Sequence, residues 1–117
     1  MDHRIAFGKW GEAYAAEFLH KQGYSILARN YRTPYGEIDL VAQQHERLVF
    51  VEVKTRSSSA FGYPEEAVTP QKRQHLYDAA NLYVQEHHWE KDWQIDVVAI
   101  LRTDANAQPQ LVHFENI

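Results

Sequence analysis

The sequence predicts an α/β protein: a mixed sheet flanked by helices, in the order αβββαβ. Three observations predict it. Two stretches carry apolar residues at helical spacing. Three Val/Ile/Leu-rich segments, joined by short polar turns, lie between them. One or two further strand-like segments follow the second helix. A hairpin meander pairs antiparallel, and a helical crossover then adds a strand in parallel, so the sheet is mixed and needs helices to cover its faces. The 117 residues are expected to form one domain, 1–117, large enough to bury a core.

The first helix is expected over about 7–22. Glu12, Ala15, Ala16 and Leu19 fall on one stripe, Phe18 widens it, and Gly23 suits the position after the helix end. Glu12 has two readings. It is either a solvated residue at the stripe's edge or a carboxylate aimed over the sheet. Residues 24–32 alternate as a first, edge strand, with Tyr24, Ile26 and Ala28 on one face, and 30–36 form a turn punctuated by Pro34 and Gly36. The second strand spans about 37–43, the turn 44–47 and the third strand 48–55. Ser57 to Gly62 has the composition of a flexible loop. Thr69-Pro70 begins the second helix as N-cap and first-turn proline, and the helix runs to about Glu86. His87-His88-Trp89 is its fraying end. Strands are expected at 93–101 and 110–114, and Asp96 reads as structural.

Composition excludes several function classes. With no cysteine, disulfides, thiolate catalysis and zinc–thiolate sites are ruled out. No apolar run is long enough for a bilayer, and Met1-Asp2-His3-Arg4-Ile5 lacks a signal peptide's apolar core, so a cytoplasmic protein without a membrane partner is expected. The net charge of −4 argues against a surface that binds nucleic acid everywhere, while allowing a local basic patch.

The strands of the central hairpin carry the chemistry. Glu37 and Asp39 share a face of one, and Glu52 and Lys54 share a face of the next. Acids inside apolar strands are costly unless paired or put to use. One reading is an edge-strand ion pair. The other is a cluster of carboxylates and a lysine that holds a divalent metal beside a phosphodiester. Gln71, Lys72, Arg73 and His75 crowd the start of the second helix, where cations oppose the helix dipole. They are either a solvated face or a phosphate site. Arg29 and Arg32 flank the expected turn. Trp10, Tyr35 and Phe61 are candidate exposed aromatics for stacking or for an interface.

Asp39 followed by Glu52-Val53-Lys54 resembles the bipartite acidic motif of the PD-(D/E)XK superfamily, whose restriction-endonuclease-like fold has an αβββαβ core. Gly11-Glu-Ala, Gly23-Tyr-Ser-Ile-Leu, Arg29-Asn-Tyr-Arg, Gly36-Glu-Ile-Asp-Leu-Val, Phe50-Val-Glu-Val-Lys-Thr-Arg, Ala67-Val-Thr-Pro-Gln-Lys and Ile95-Asp-Val-Val together resemble the bacterial YraN family over nearly the whole chain. That family is a predicted endonuclease group related to Holliday-junction resolvases. Ile38 stands where many superfamily motifs have proline.

The resemblance implies a metal-dependent endonuclease acting on DNA, with branched DNA of repair or recombination as one candidate substrate. It makes Asp39 and Glu52 metal ligands, Lys54 the catalytic lysine and Glu12 an accessory carboxylate for metal or catalysis. Gln71 or Lys72 matches a supporting helix position. Hard oxygen ligands suit Mg²⁺ or Mn²⁺. Arg29, Arg32, Arg56, Gln71, Lys72 and Arg73 are the expected nucleic-acid contacts. A branched substrate implies a homodimer. The alternative is a non-catalytic nucleic-acid-binding or assembly module that keeps the nuclease fold.

Overall fold

A computed structural model describes residues 3–58 and 68–117. Its elements run α1 (His3–Lys21), β1 (Ser25–Thr33), β2 (Gly36–Gln44), β3 (Arg47–Arg56), α2 (Pro70–Glu86), β4 (Trp93–Leu101) and β5 (Gln110–Phe114). The five strands form one sheet in chain order, antiparallel except for the β3–β4 pair, which is parallel. The architecture is compatible with a restriction-endonuclease-like αβββαβ core, with β5 added at one edge.

Local chemistry sets the boundaries. Gly23 takes φ +96° and lets the chain leave α1. The Thr69 hydroxyl accepts the Lys72 amide at 3.1 Å, and Pro70 opens α2. α1 begins a turn earlier than expected, because His3 to Ala6 add no apolar period yet continue the helix. This turn matters, since Arg4 and Ile5 reach the clefts described below.

The expected turn over 30–36 is corrected. β1 runs through Thr33, and the hairpin turns on Pro34 and Tyr35, with the Thr33 hydroxyl donating to Gly36 O at 2.7 Å. Pro34 and Gly36 do punctuate the turn, but a two-residue connection suffices.

Each sheet face packs one helix. Val49, Val51 and Val53 of β3 join Ala15, Ala16 and Leu19 of α1 on one side. Leu48 and Phe50 join Leu76, Ala79, Ala80 and Tyr83 of α2 on the other. The period-2 alternation of β3 thus feeds two cores at once, as a central strand requires. β3 is therefore not an edge strand, although the ion pair expected between its Glu52 and Lys54 is present at 3.2 Å.

The outer hairpin breaks that alternation. In β1, Ile26 packs on the α1 side but Ala28 on the α2 side, because the register slips at a bulge between them. The expected common face for these two residues is corrected. In β2, Ile38 belongs to the α2 side and Leu40 to the α1 side, although they are two residues apart. Asn30, which would pair with Asp39, takes φ +51° and drops out of the ladder. This local reversal of faces creates the site.

On β4, beside Val51 of β3, fully buried Asp96 is satisfied by His113 Nε2 at 2.7 Å, the Asn116 amide at 2.9 Å and Gln94 Nε2 at 2.9 Å. It fastens β5 and the residues beyond it to β4, the structural role its sequence context suggested.

Candidate active site

β2 and β3 pair from Gln44–Arg47 to Leu40–Val51 and then part. Beyond that point the Val53 N–H has no β2 carbonyl opposite it. The Asp39 carboxylate takes the donor instead, accepting it through Oδ2 at 2.8 Å. The parting strands open a cleft of about 510 Å³ at the C-terminal end of β3. Glu12, Glu37, Asp39, Glu52, Lys54 and Arg56 all line it.

α1 supplies one wall. Gly11 is buried, and a methyl group there would overlap Thr55 Oγ1 and crowd its Cβ and Cγ2 at 3.1 Å. Glycine therefore lets α1 lie directly on β3, which carries Glu12 over the cleft. The solvated reading of Glu12 gives way. One oxygen each from Glu12, Glu37 and Asp39 lie within 4.8 Å of one another.

Asn30 spans this group. Its Nδ2 donates to Glu12 Oε2 at 2.8 Å and to Glu37 Oε1 at 3.0 Å, while its Oδ1 accepts from Lys9 Nζ at 3.3 Å. Asparagine tolerates positive φ better than most side chains and carries two amide hydrogens for two carboxylates.

Glu52 occupies the other side. It is only 5 % exposed, and its Oε1 lies 3.2 Å from Lys54 Nζ and 3.6 Å from Lys72 Nζ. Lys72 comes from the first turn of α2, so the crowded cations of that helix start include one that reaches Glu52. Asp39 sits between Glu52 and the Glu12–Glu37 pair. Burial and then the charge of Glu52 raise its pKa to about 7, with smaller contributions from Glu12 and Glu37, against the lowering effect of the Val53 amide.

The donor set fits a hard divalent cation. It offers carboxylate oxygens close together, and their mutual repulsion would be relieved by a positive ion. It offers no nitrogen or sulfur ligand suited to a softer metal.

The sequence matches the model of uncharacterised protein family UPF0102 over residues 11–100. The chain belongs to the UPF0102 family. It is 50 % identical to a UPF0102 protein of Syntrophomonas wolfei over 102 residues, covering 86 % of this chain and 89 % of that one. It is 42 % identical to one from Herpetosiphon aurantiacus over 121 residues, covering 99 % and 96 %. A Beutenbergia cavernae UPF0102 protein is 50 % identical over 108 residues, covering 92 % of each chain. The family match bears out the YraN resemblance and takes in Glu12, Asp39, Glu52 and Lys54.

In this UPF0102 chain the remaining expected contacts scatter. Arg56 lines the cleft, and Arg32 reaches its rim through Glu37 at 3.6 Å. Gln71 and Arg73 are exposed on the first turn of α2. Arg29 lies apart, in a surface hollow with Glu17 and His20. Phe61 and the loop from Ser59 onward lie outside the described residues. Tyr35 is 50 % exposed, whereas Trp10 is half-buried between Phe7 and Tyr14.

Sequence reasoning missed three parts of the site: Asn30, Gly11 and the full place of Glu37. Glu37 had a signal, its shared face with Asp39. Asn30 had a weaker one, a turn-favouring residue inside an otherwise strand-like stretch. Gly11 had none beyond being a glycine inside a helical pattern.

Proposed function

We propose that the protein is a metal-dependent endonuclease of the PD-(D/E)XK type, hydrolysing phosphodiester bonds in DNA. The observation that carries this reading is the meeting of Glu12, Glu37 and Asp39 beside Glu52 and Lys54 in one open cleft.

Asp39, Glu52 and Glu12 would hold Mg²⁺ or Mn²⁺, with Glu37 beside them. The ion would withdraw charge from the scissile phosphate and acidify the attacking water. Lys54 lies at the same cleft, close to Glu52, where its ammonium can orient that water or offset the charge growing on the phosphate. Asn30 keeps Glu12 and Glu37 at fixed positions against their repulsion. Arg56 and Arg32 would hold flanking phosphates, and Lys72 would do so once released from Glu52. Gln71 and Arg73 offer further exposed contacts on the same helix turn. Arg29, apart from the cleft, would serve only a longer substrate. Cutting both strands of a branched DNA needs two such sites, hence two copies of the chain.

A second reading is a nucleic-acid-binding or assembly module without catalysis. The double ion pair of Glu52 favours it, since two lysines already neutralise the acid a metal would need. Cleavage separates the readings. Wild-type protein with Mg²⁺ or Mn²⁺ should nick linear or branched DNA, and Lys54→Ala should lower the rate at least about a hundredfold, as expected when charge stabilisation is lost. Undiminished cutting by Lys54→Ala, or binding without cutting by wild type, would overturn the enzymatic reading.

A further inference from the structure

A second cleft lies against the first, at the start of α1. It measures about 490 Å³ and its lining is predominantly apolar, with Phe7 and Trp10 among the residues and His3, Arg4, Ser57 and Arg102 around them. Arg4 and Phe7 line both clefts, so the two share a wall. The rings are ordered. Phe7 and Trp10 lie nearly parallel, 6° apart with centroids 5.7 Å apart. The Arg102 guanidinium carbon lies 4.3 Å from the centroid of the Trp10 ring. Arg102 is also tied to the Asp104 and Ala105 carbonyls at 3.4 and 3.3 Å.

This combination matches one kind of occupant. Phe7 and the Arg102 guanidinium that lies over Trp10 offer planar surfaces for stacking. The charge of Arg102, with the protonatable His3, matches an anion attached to the stacked group, the Asp104 carboxylate in the same lining being taken up by the Asn106 amide at 2.7 Å. A nucleotide has that form: an apolar, planar base joined to a phosphate. A base within a duplex has both faces covered by its neighbours and cannot enter a cleft, so only an unpaired base qualifies. The shared wall sets such a base beside the phosphate that the acidic cleft would receive.

We infer that the Phe7–Trp10–Arg102 cleft receives an unpaired base of a DNA strand whose adjoining phosphate lies in the acidic cleft. The protein then engages single-stranded DNA, or the single-stranded arm of a branched molecule, in preference to blunt duplex. The inference rests on the nuclease reading for the location of the phosphate.

The test is titration with a fluorescein-labelled oligo(dT) and with a labelled blunt duplex of equal length, in Ca²⁺, alongside tryptophan fluorescence with unlabelled oligo(dT). Wild type should bind oligo(dT) more tightly than duplex, and its tryptophan emission should be quenched. Phe7→Ala should weaken oligo(dT) binding about tenfold while duplex binding changes by less than about twofold, the size expected for one lost stacking surface. Phe7→Leu keeps an apolar side chain for the fold and should show the same selective loss. Trp10→Phe should abolish the quenching, because Trp89 and Trp93 belong to the opposite sheet face. Equal losses on the two ligands, wild-type binding by Phe7→Leu, or unquenched emission at saturation would each overturn the inference. Metal-dependent cutting without a preference for oligo(dT) would sink this inference and leave the nuclease reading standing. Preference and quenching without any cutting would do the reverse.

Discussion

The Asp39 carboxylate accepts the Val53 amide at 2.8 Å, across the gap where β2 and β3 part. A side chain completes the sheet at the point where its backbone ladder ends. The bond satisfies a donor that would otherwise be buried and unpaired, and it fixes one oxygen of the acid. The same residue is crowded by Glu52 on one side and by Glu12 and Glu37 on the other.

The first prediction concerns pH. Folding moves the Asp39 pKa from 3.8 to about 7, so the folded protein holds that proton more tightly than the unfolded chain does. For this group stability is fullest below pH 3.8 and is lost as pH rises toward 7. Asp39→Asn keeps an acceptor for Val53 without the charge. In metal-free buffer it should be more stable than wild type at pH 8, by roughly 2 kcal/mol after discounting for solvent at the cleft, and the gain should vanish near pH 4. Urea denaturation at the two pH values checks this. A gain that does not depend on pH would contradict it.

Asn30 gives a second prediction, because its backbone and its side chain do different work. Asn30→Gly keeps positive φ available but removes the bridge between Glu12 and Glu37. Asn30→Ala removes both and should cost about 1–2 kcal/mol more than the glycine variant. Both variants should bind Mn²⁺ roughly tenfold to a hundredfold more weakly, as expected when a group that orients ligands is lost. Thermal melts and metal titration separate the two effects.

Gly11 offers a third. Gly11→Ala drives a methyl group into Thr55 and should push α1 away from β3, destabilising the protein by about 1–3 kcal/mol despite alanine's better helix propensity. Gly8 sits in the same helix with open space around its Cβ position. Gly8→Ala should instead stabilise by a few tenths to about 1 kcal/mol. Chemical denaturation of the pair gives opposite signs if the close approach of α1 is real.

These contrasts show what the chain made legible. Periodicity and apolar runs located all seven elements: α1 and α2 each bury a regular stripe, and β3 and β4 are apolar on both faces. Glu52 and Lys54 stood out because charge inside the apolar run of β3 violates its pattern. The hairpin of β1 and β2 was less legible, because a bulge near Leu27 and the left-handed Asn30 twice exchange the faces of β1. Alternation counts residues and cannot see a residue that drops out of the ladder. Arg29 shows the same limit: closeness in sequence to Asn30 did not bring it to the cleft. Lys72 was visible as a cation at the wrong end of a helix, yet its partner, Glu52, could be found only in space.

The most direct measurement is calorimetric titration of Mn²⁺ into wild type and Asp39→Ala, each with a junction DNA made uncleavable by phosphorothioate linkages. At pH 8 wild type should bind Mn²⁺, and Asp39→Ala should lose that binding while remaining folded by circular dichroism. Wild type that takes up no Mn²⁺ with the DNA present, or binding undiminished in Asp39→Ala, would contradict a metal-dependent nuclease site at the parting of β2 and β3.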